Sequence, residues 1–147
     1  MNVSASIDLQ AKAESVWERV VAWELQPLWM RDAADVRVLT SHRAGPGVRV
    51  AVRTRVAGLR AFTDTLEVTV WDPPRRLVLA HRGFVRGVGE WTLESVGDRT
   101  RFRWTERLSL SLPVPLLGEL ALLLYRPFMR RLMEGSLRNL AEWLAAG

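Results

Sequence analysis

Cysteine is absent from the 147 residues, which removes disulfides, thiolate metal ligands and cysteine nucleophiles together. Histidine occurs only as His42 and His81, and nothing near either has metal-ligand spacing, so no metal is expected. The first ten residues, MNVSASIDLQ, carry neither a basic leader nor an apolar core, and the expected location is cytoplasmic. The longest apolar stretch, Leu108 to Tyr125, is broken by Pro113, Pro115, Gly118 and Glu119, well short of the about 20 uninterrupted residues a membrane span needs. There is no internal repeat, linker, phosphate loop or nucleophile elbow, and GVGEW precedes a strand where a dinucleotide fingerprint would open a helix.

What is present is ordinary globular material. Hydrophobic residues make up 48% and charged residues 25%, enough for one core, and residues 1–147 are expected to form one domain. The net charge is +5, and every basic residue except Lys12 is arginine; such a balance concerns association and not fold. Val3, Ala5, Ile7 and Leu9 alternate as a half-buried strand. Val16, Trp17, Val20 and Val21 then form one helical stripe within 13–23, and Pro27 suits the first turn of a second short helix carrying Leu28 and Trp29.

Strands follow one another through the middle of the chain. Val36 and Val38 mark one; after the GPG turn at 45–47, Val48, Val50 and Val52 alternate with Arg49, Arg53 and Arg55, so the valines are expected inside and the arginines outside. Residues 60–71 place Phe62, Leu66, Val68 and Val70 on one face and end at a proline turn; 77–81, 88–96 and 101–110 complete about seven strands. From Pro115 to Ala145 the spacing is helical, with Leu117, Leu120, Leu124, Phe128, Leu132, Leu137, Leu140 and Leu144 on or beside one stripe, and a bend is expected at Pro127. Short turns between consecutive strands require an antiparallel sheet, and one long helix with two short ones suffices to cover one face of it. The fold class is therefore α+β, a sheet curled around the C-terminal helix.

The segments VWERVVAWELQPLWM, EVTVWDPPRRLVL, GEWTLE and TRFRWTERL, followed by the long helix, resemble the START-like (SRPBCC) superfamily, and within it the bacterial polyketide cyclase/dehydrase branch. The resemblance implies a helix-grip fold, seven strands gripping the terminal helix around an elongated cavity, with two small helices closing one end. Each matching segment is a signature of architecture, and none is a catalytic motif.

Candidate chemistry comes from strand parity. Glu106 shares the phase of Phe102, Trp104 and Leu108, while Arg101, Arg103, Thr105 and Arg107 take the other face, so a carboxylate points inward with Trp104. Asp64 shares the phase of Phe62 and Leu66. His81 follows Leu77 and Leu79, but Val78 and Ala80 are also apolar and leave the inward face open. These three residues are the acid/base candidates, with Glu106 and Asp64 the better matched to proton transfer. Trp29, Phe62, Leu66, Trp104, Leu124 and Phe128 are the candidate ligand contacts, Trp29 because the resemblance places the second short helix at the pocket mouth.

The expected activity is binding of a small hydrophobic, polyketide- or lipid-like molecule, with cyclisation or dehydration as the chemistry inward carboxylates would perform. No cofactor is implied. A non-catalytic lipid or quinone carrier or sensor would use the same pocket. A partner-binding module would use the outer arginines, although no aromatics are interleaved with them as nucleic acid would require. A monomer and a homodimer are equally compatible with the sequence.

Overall fold

The computed structural model describes residues 1–56 and 58–147, with the side chains of residues 60 and 61 outside the description. Among the described residues, seven strands form one antiparallel sheet: β1 (Asn2–Leu9), β2 (Ala33–Val38), β3 (Arg49–Val56), β4 (Leu59–Asp72), β5 (Arg76–Arg82), β6 (Val85–Val96) and β7 (Arg99–Leu110). Their spatial order is β1-β7-β6-β5-β4-β3-β2, so the chain runs as a meander from β2 and its last strand returns to pair with its first. Helix α1 (Ala13–Val20) and a 3₁₀ helix (Trp23–Leu28) lie between β1 and β2, and α2 (Pro115–Ala145) ends the chain. This is the helix-grip architecture.

Alternation sets the inside of the sheet. In β7, Phe102, Trp104, Glu106 and Leu108 are buried while the arginines between them are exposed. In β3 and the residue before it, Val48, Val50 and Val52 are buried and Arg49, Arg53 and Arg55 are exposed, as parity requires. Four of the outer arginines are engaged in cross-strand pairs: Arg101 with Asp8 at 3.0 Å, Arg76 with Glu90 at 2.6 Å, and Arg49 and Arg82 with Glu67 at 3.3 and 3.0 Å. Exposed pairs of this kind contribute little, so Arg101→Ala is expected to change unfolding free energy by less than about 1 kcal/mol in urea titration.

Three local expectations need correction. Helix α1 ends at Val20, and the second helix is a 3₁₀ helix beginning at Trp23, which places Pro27 in its last turn and not its first. Trp23 anchors this tighter winding, fully buried with its indole N–H donating to Arg43 O at 2.9 Å. In β4 the pairing with β5 shifts between Val68 and Val70, so Val70 leaves the inward phase and Trp71 turns in against Trp17 and Trp23.

The third correction concerns α2. Its inward line is Gly118, Leu122, Tyr125, Met129, Met133, Leu137 and Leu140, and Leu117, Leu120, Leu124 and Phe128 face outward. Leu116 to Tyr125 is apolar nearly all round, so leucine spacing there carries no phase information. Farther on, Ser136 fastens the helix: its Oγ accepts from the Arg31 amide at 2.9 Å and donates to Leu132 O at 2.8 Å, and Asn139 donates to Trp29 O at 3.3 Å. These bonds hold residues 29–31, and with them the adjoining Asp32, against the helix.

Candidate functional site

Between the concave sheet and the first half of α2 lies a cavity of about 330 Å³. Its wall is mainly apolar, contributed by Val52, Phe62, Leu66, Leu79, Trp91 and Leu108 from the sheet and by Leu122, Tyr125 and Met129 from α2. Set into that wall is a contiguous array of ionisable groups. His81 Nδ1 lies 2.7 Å from Asp64 Oδ2, and its Nε2 lies 3.0 Å from Glu106 Oε2. Glu106 Oε1 accepts from the Trp104 indole N–H at 2.8 Å, and Asp64 Oδ1 accepts from the Thr65 amide at 3.1 Å.

Neighbouring registers build this arrangement. Leu66 pairs with His81 across β4 and β5, and Glu106 pairs with Gly89 across β7 and β6, so three inward residues from three strands converge. Glycine makes the room. A Cβ at residue 89 would lie 2.9 Å from Glu106 Oε1, and one at residue 83 would lie 2.7 Å from Asp64 Oδ1. Gly89→Ala is therefore expected to displace the Glu106 carboxylate and to destabilise the fold by about 1–3 kcal/mol, read by urea unfolding.

Burial by itself would push the His81 imidazole down, but hydrogen bonds to Asp64 and Glu106 and the charges of both outweigh it, and its pKa is raised from 6.5 to about 9. At neutral pH both ring nitrogens therefore carry protons and donate, one to each carboxylate. With both nitrogens engaged the trio is a proton-sharing array, and among the described residues no His, Asp and Glu group is disposed to hold a metal ion.

Asp32 is the second ionisable feature. It lines the same cavity, its Oδ1 is removed from solvent without a hydrogen-bond partner among the described residues, and burial raises its pKa from 3.8 to about 6. A raised carboxyl stabilises the fold fully below about pH 3.8 and loses that contribution as pH rises through about 6. Asp32→Asn, which cannot ionise, is accordingly expected to raise stability at pH 8 by about 2–3 kcal/mol and to leave it nearly unchanged at pH 4, measured by thermal melts across pH.

The structure brings together Asp64, His81, Glu106, Trp104, Phe62 and Leu66, all lining the cavity. It does not bring Trp29, Leu124 or Phe128 there. Trp29 is fully buried behind the wall, packed at 5.7 Å on Trp91, 6.1 Å on Trp104 and 6.4 Å on Phe102, because the 3₁₀ helix ends one residue before it and turns its ring into the core. Leu124 and Phe128 lie on the outer face of α2. Sequence reasoning missed Asp32, which precedes β2 where parity carries no information, and Tyr125 and Met129, hidden by the uniform apolarity of the helix.

A curled antiparallel sheet gripping a long helix around an apolar cavity is the START-like, helix-grip fold. The chain belongs to the family described as polyketide cyclase / dehydrase and lipid transport, whose model matches residues 1–145. Among solved structures it is similar to a protein from Thermus thermophilus, with a TM-score of 0.81, 22% identity and coverage of 99% of this chain and 98% of that one. It is also similar to the Zhui aromatase/cyclase from a Streptomyces species, at a TM-score of 0.79 and 18% identity over 99% of this chain and 93% of that one. A START superfamily protein from Mycobacterium smegmatis gives a TM-score of 0.65 and 17% identity over 96% and 92% of the two chains. No curated protein matches the sequence. At these identities the likeness to solved structures speaks for the fold.

Proposed function

We propose that the chain binds an oxygen-bearing hydrophobic molecule in the cavity and moves protons on it, in the manner of a cyclase or dehydrase. The observation that carries this reading is the Asp64, His81 and Glu106 array set into an otherwise apolar wall. A packed core has no use for two carboxylates and an imidazolium, each costly to bury, whereas a proton-transfer site needs a base and a proton reservoir in contact. The family description and the aromatase/cyclase neighbour support the same reading.

In a dehydration, Glu106 removes the proton beside a ligand carbonyl, the carbon–carbon double bond forms, and the hydroxyl on the next carbon leaves with a proton as water. In a cyclisation the same deprotonated carbon attacks a second carbonyl, and the resulting alkoxide takes up the proton. His81, hydrogen-bonded to Glu106 Oε2, tempers the change in charge on that carboxylate, and Asp32 is a cavity carboxyl able to deliver a proton when it is neutral. Neither sequence requires an oxidant or a reductant.

Native mass spectrometry of the protein purified from its own host tests the reading, because a retained small molecule identifies the ligand class. A hydroxylated or keto-bearing aromatic or polyene is the expected cargo. An empty cavity that also excludes such compounds when they are added would overturn the proposal. A saturated lipid bound without turnover would favour the carrier.

A further inference from the structure

The first half of α2 has an apolar outer face on which nothing packs among the described residues. Leu116, Leu117, Leu120, Leu123, Leu124 and Phe128 are all exposed, from about half to three quarters of their surface. At about 100° per residue they fall within one arc of about 140°. The opposite side of the same segment is also apolar and faces the cavity, so this half of the helix is hydrophobic all round, a pattern otherwise found where a helix is covered on every side.

Other exposed apolar side chains line or flank the cavity and mark where it opens. Val56 lines the cavity from the β3–β4 hairpin, whose return carries the exposed Leu59. Phe84 lines it from the β5–β6 turn, its ring 6.3 Å from that of Phe62. The Ser111 amide donates to Phe84 O at 3.1 Å, and Gly118 seats the helix start on Leu110, so turn, strand end and helix form one rim.

The net charge of this region is positive. Between Arg107 and Glu134, the acidic residues Glu119 and Glu134 stand against Arg107, Arg126, Arg130 and Arg131. Arg126 reaches back to Asn2 O, Arg130 pairs with Glu134 at 3.5 Å, and Arg131 is exposed just beyond the leucines. Exposed leucines bordered by arginine on a helix that is too short of apolar residues to span suit the boundary between headgroups and acyl chains. A protein partner or a second copy seated on the rim would stop the cavity mouth, whereas acyl chains continue its apolar wall.

We infer that the cavity rim docks on an anionic lipid surface, with the outer face of Leu116–Phe128 in the headgroup boundary and the cavity opening onto the membrane. This rests on the cavity being a site for hydrophobic ligands, since docking then lets such a molecule pass between bilayer and pocket without crossing water.

Flotation of the full chain with phosphatidylcholine vesicles, with and without phosphatidylglycerol, tests the inference. Association with the anionic vesicles that weakens with salt is expected. Leu120→Gln with Leu123→Gln, both outside the cavity, is expected to lower partitioning ten-fold or more, and Arg131→Ala about five-fold. A fluorescent hydroxyanthraquinone, a probe of the cargo class expected in the cavity, added to the same variants keeps the two readings apart. If the probe enters but vesicles are ignored, the docking inference falls and the cavity reading stands. If vesicles bind but the probe is excluded, the cavity reading falls and the docking surface stands. A dimer in sedimentation equilibrium that the leucine substitutions dissolve, without vesicle association, would assign the face to a second copy and overturn the inference.

Discussion

Replacing His81 by leucine is expected to lower unfolding free energy at pH 7 by about 3–5 kcal/mol, because two inward carboxylates lose the cation between them. Asp64 Oδ2 and Glu106 Oε2 each accept from this one ring, at 2.7 and 3.0 Å, and the His81 side chain is only 13% exposed. Its folded-state pKa of about 9 lies above the ordinary 6.5, so the interaction stabilises fully below about pH 6.5 and is lost as pH rises through about 9. A shift of that size corresponds to about 3 kcal/mol. The wild-type protein should therefore lose stability between pH 7 and 10, and the variant should lack that slope. Urea unfolding at a series of pH values measures both. A variant as stable as the wild type at pH 7, or one with the same alkaline slope, would show that the array is not ionised as described.

The second large effect concerns Glu106. Glu106→Gln keeps the side chain's size and its ability to accept from the Trp104 indole, but removes the carboxylate. On a confirmed substrate, turnover is expected to fall by about 100-fold or more, with ligand affinity changed much less. The contrast between kcat and Kd is what carries information. A site that only holds its ligand would show no such split, and unchanged turnover would remove the acid/base role while leaving the cavity in place. The glutamine also frees His81 from one of its two carboxylates, so the alkaline limb of the pH–rate profile should move down.

The sheet was legible because alternation is a local property. Phe102, Trp104, Glu106 and Leu108 must share a face once residues 101–110 form a strand, and Asp64 joins Phe62 and Leu66 by the same rule. What parity could not supply was the meeting of Asp64, His81 and Glu106. It depends on inter-strand register and on glycine at positions 83 and 89, which leave the carboxylates space. His81 was ambiguous because both faces of β5 are apolar, and the outer face of α2 was misjudged for the same reason. Wherever a segment is apolar on all sides, sequence ceases to say which side is covered. The bulge after Val68 shows the complementary limit, since one inserted residue reversed the phase of Val70 and Trp71 without any mark in composition.

The bond from Trp104 Nε1 to Glu106 Oε1 ties the proton-sharing array to an indole ring that also meets Trp29, itself 5.7 Å from Trp91. These rings are close enough to exchange excitation, so light absorbed by any of them reaches the one whose N–H is hydrogen-bonded to the carboxylate. Trp17, Trp23 and Trp71 form a separate cluster beside α1 and the 3₁₀ helix. The protein thus carries a built-in optical contrast: emission from the Trp104 cluster should respond to deprotonation of His81 and to occupation of the cavity, against a steadier background from the other, with no label attached.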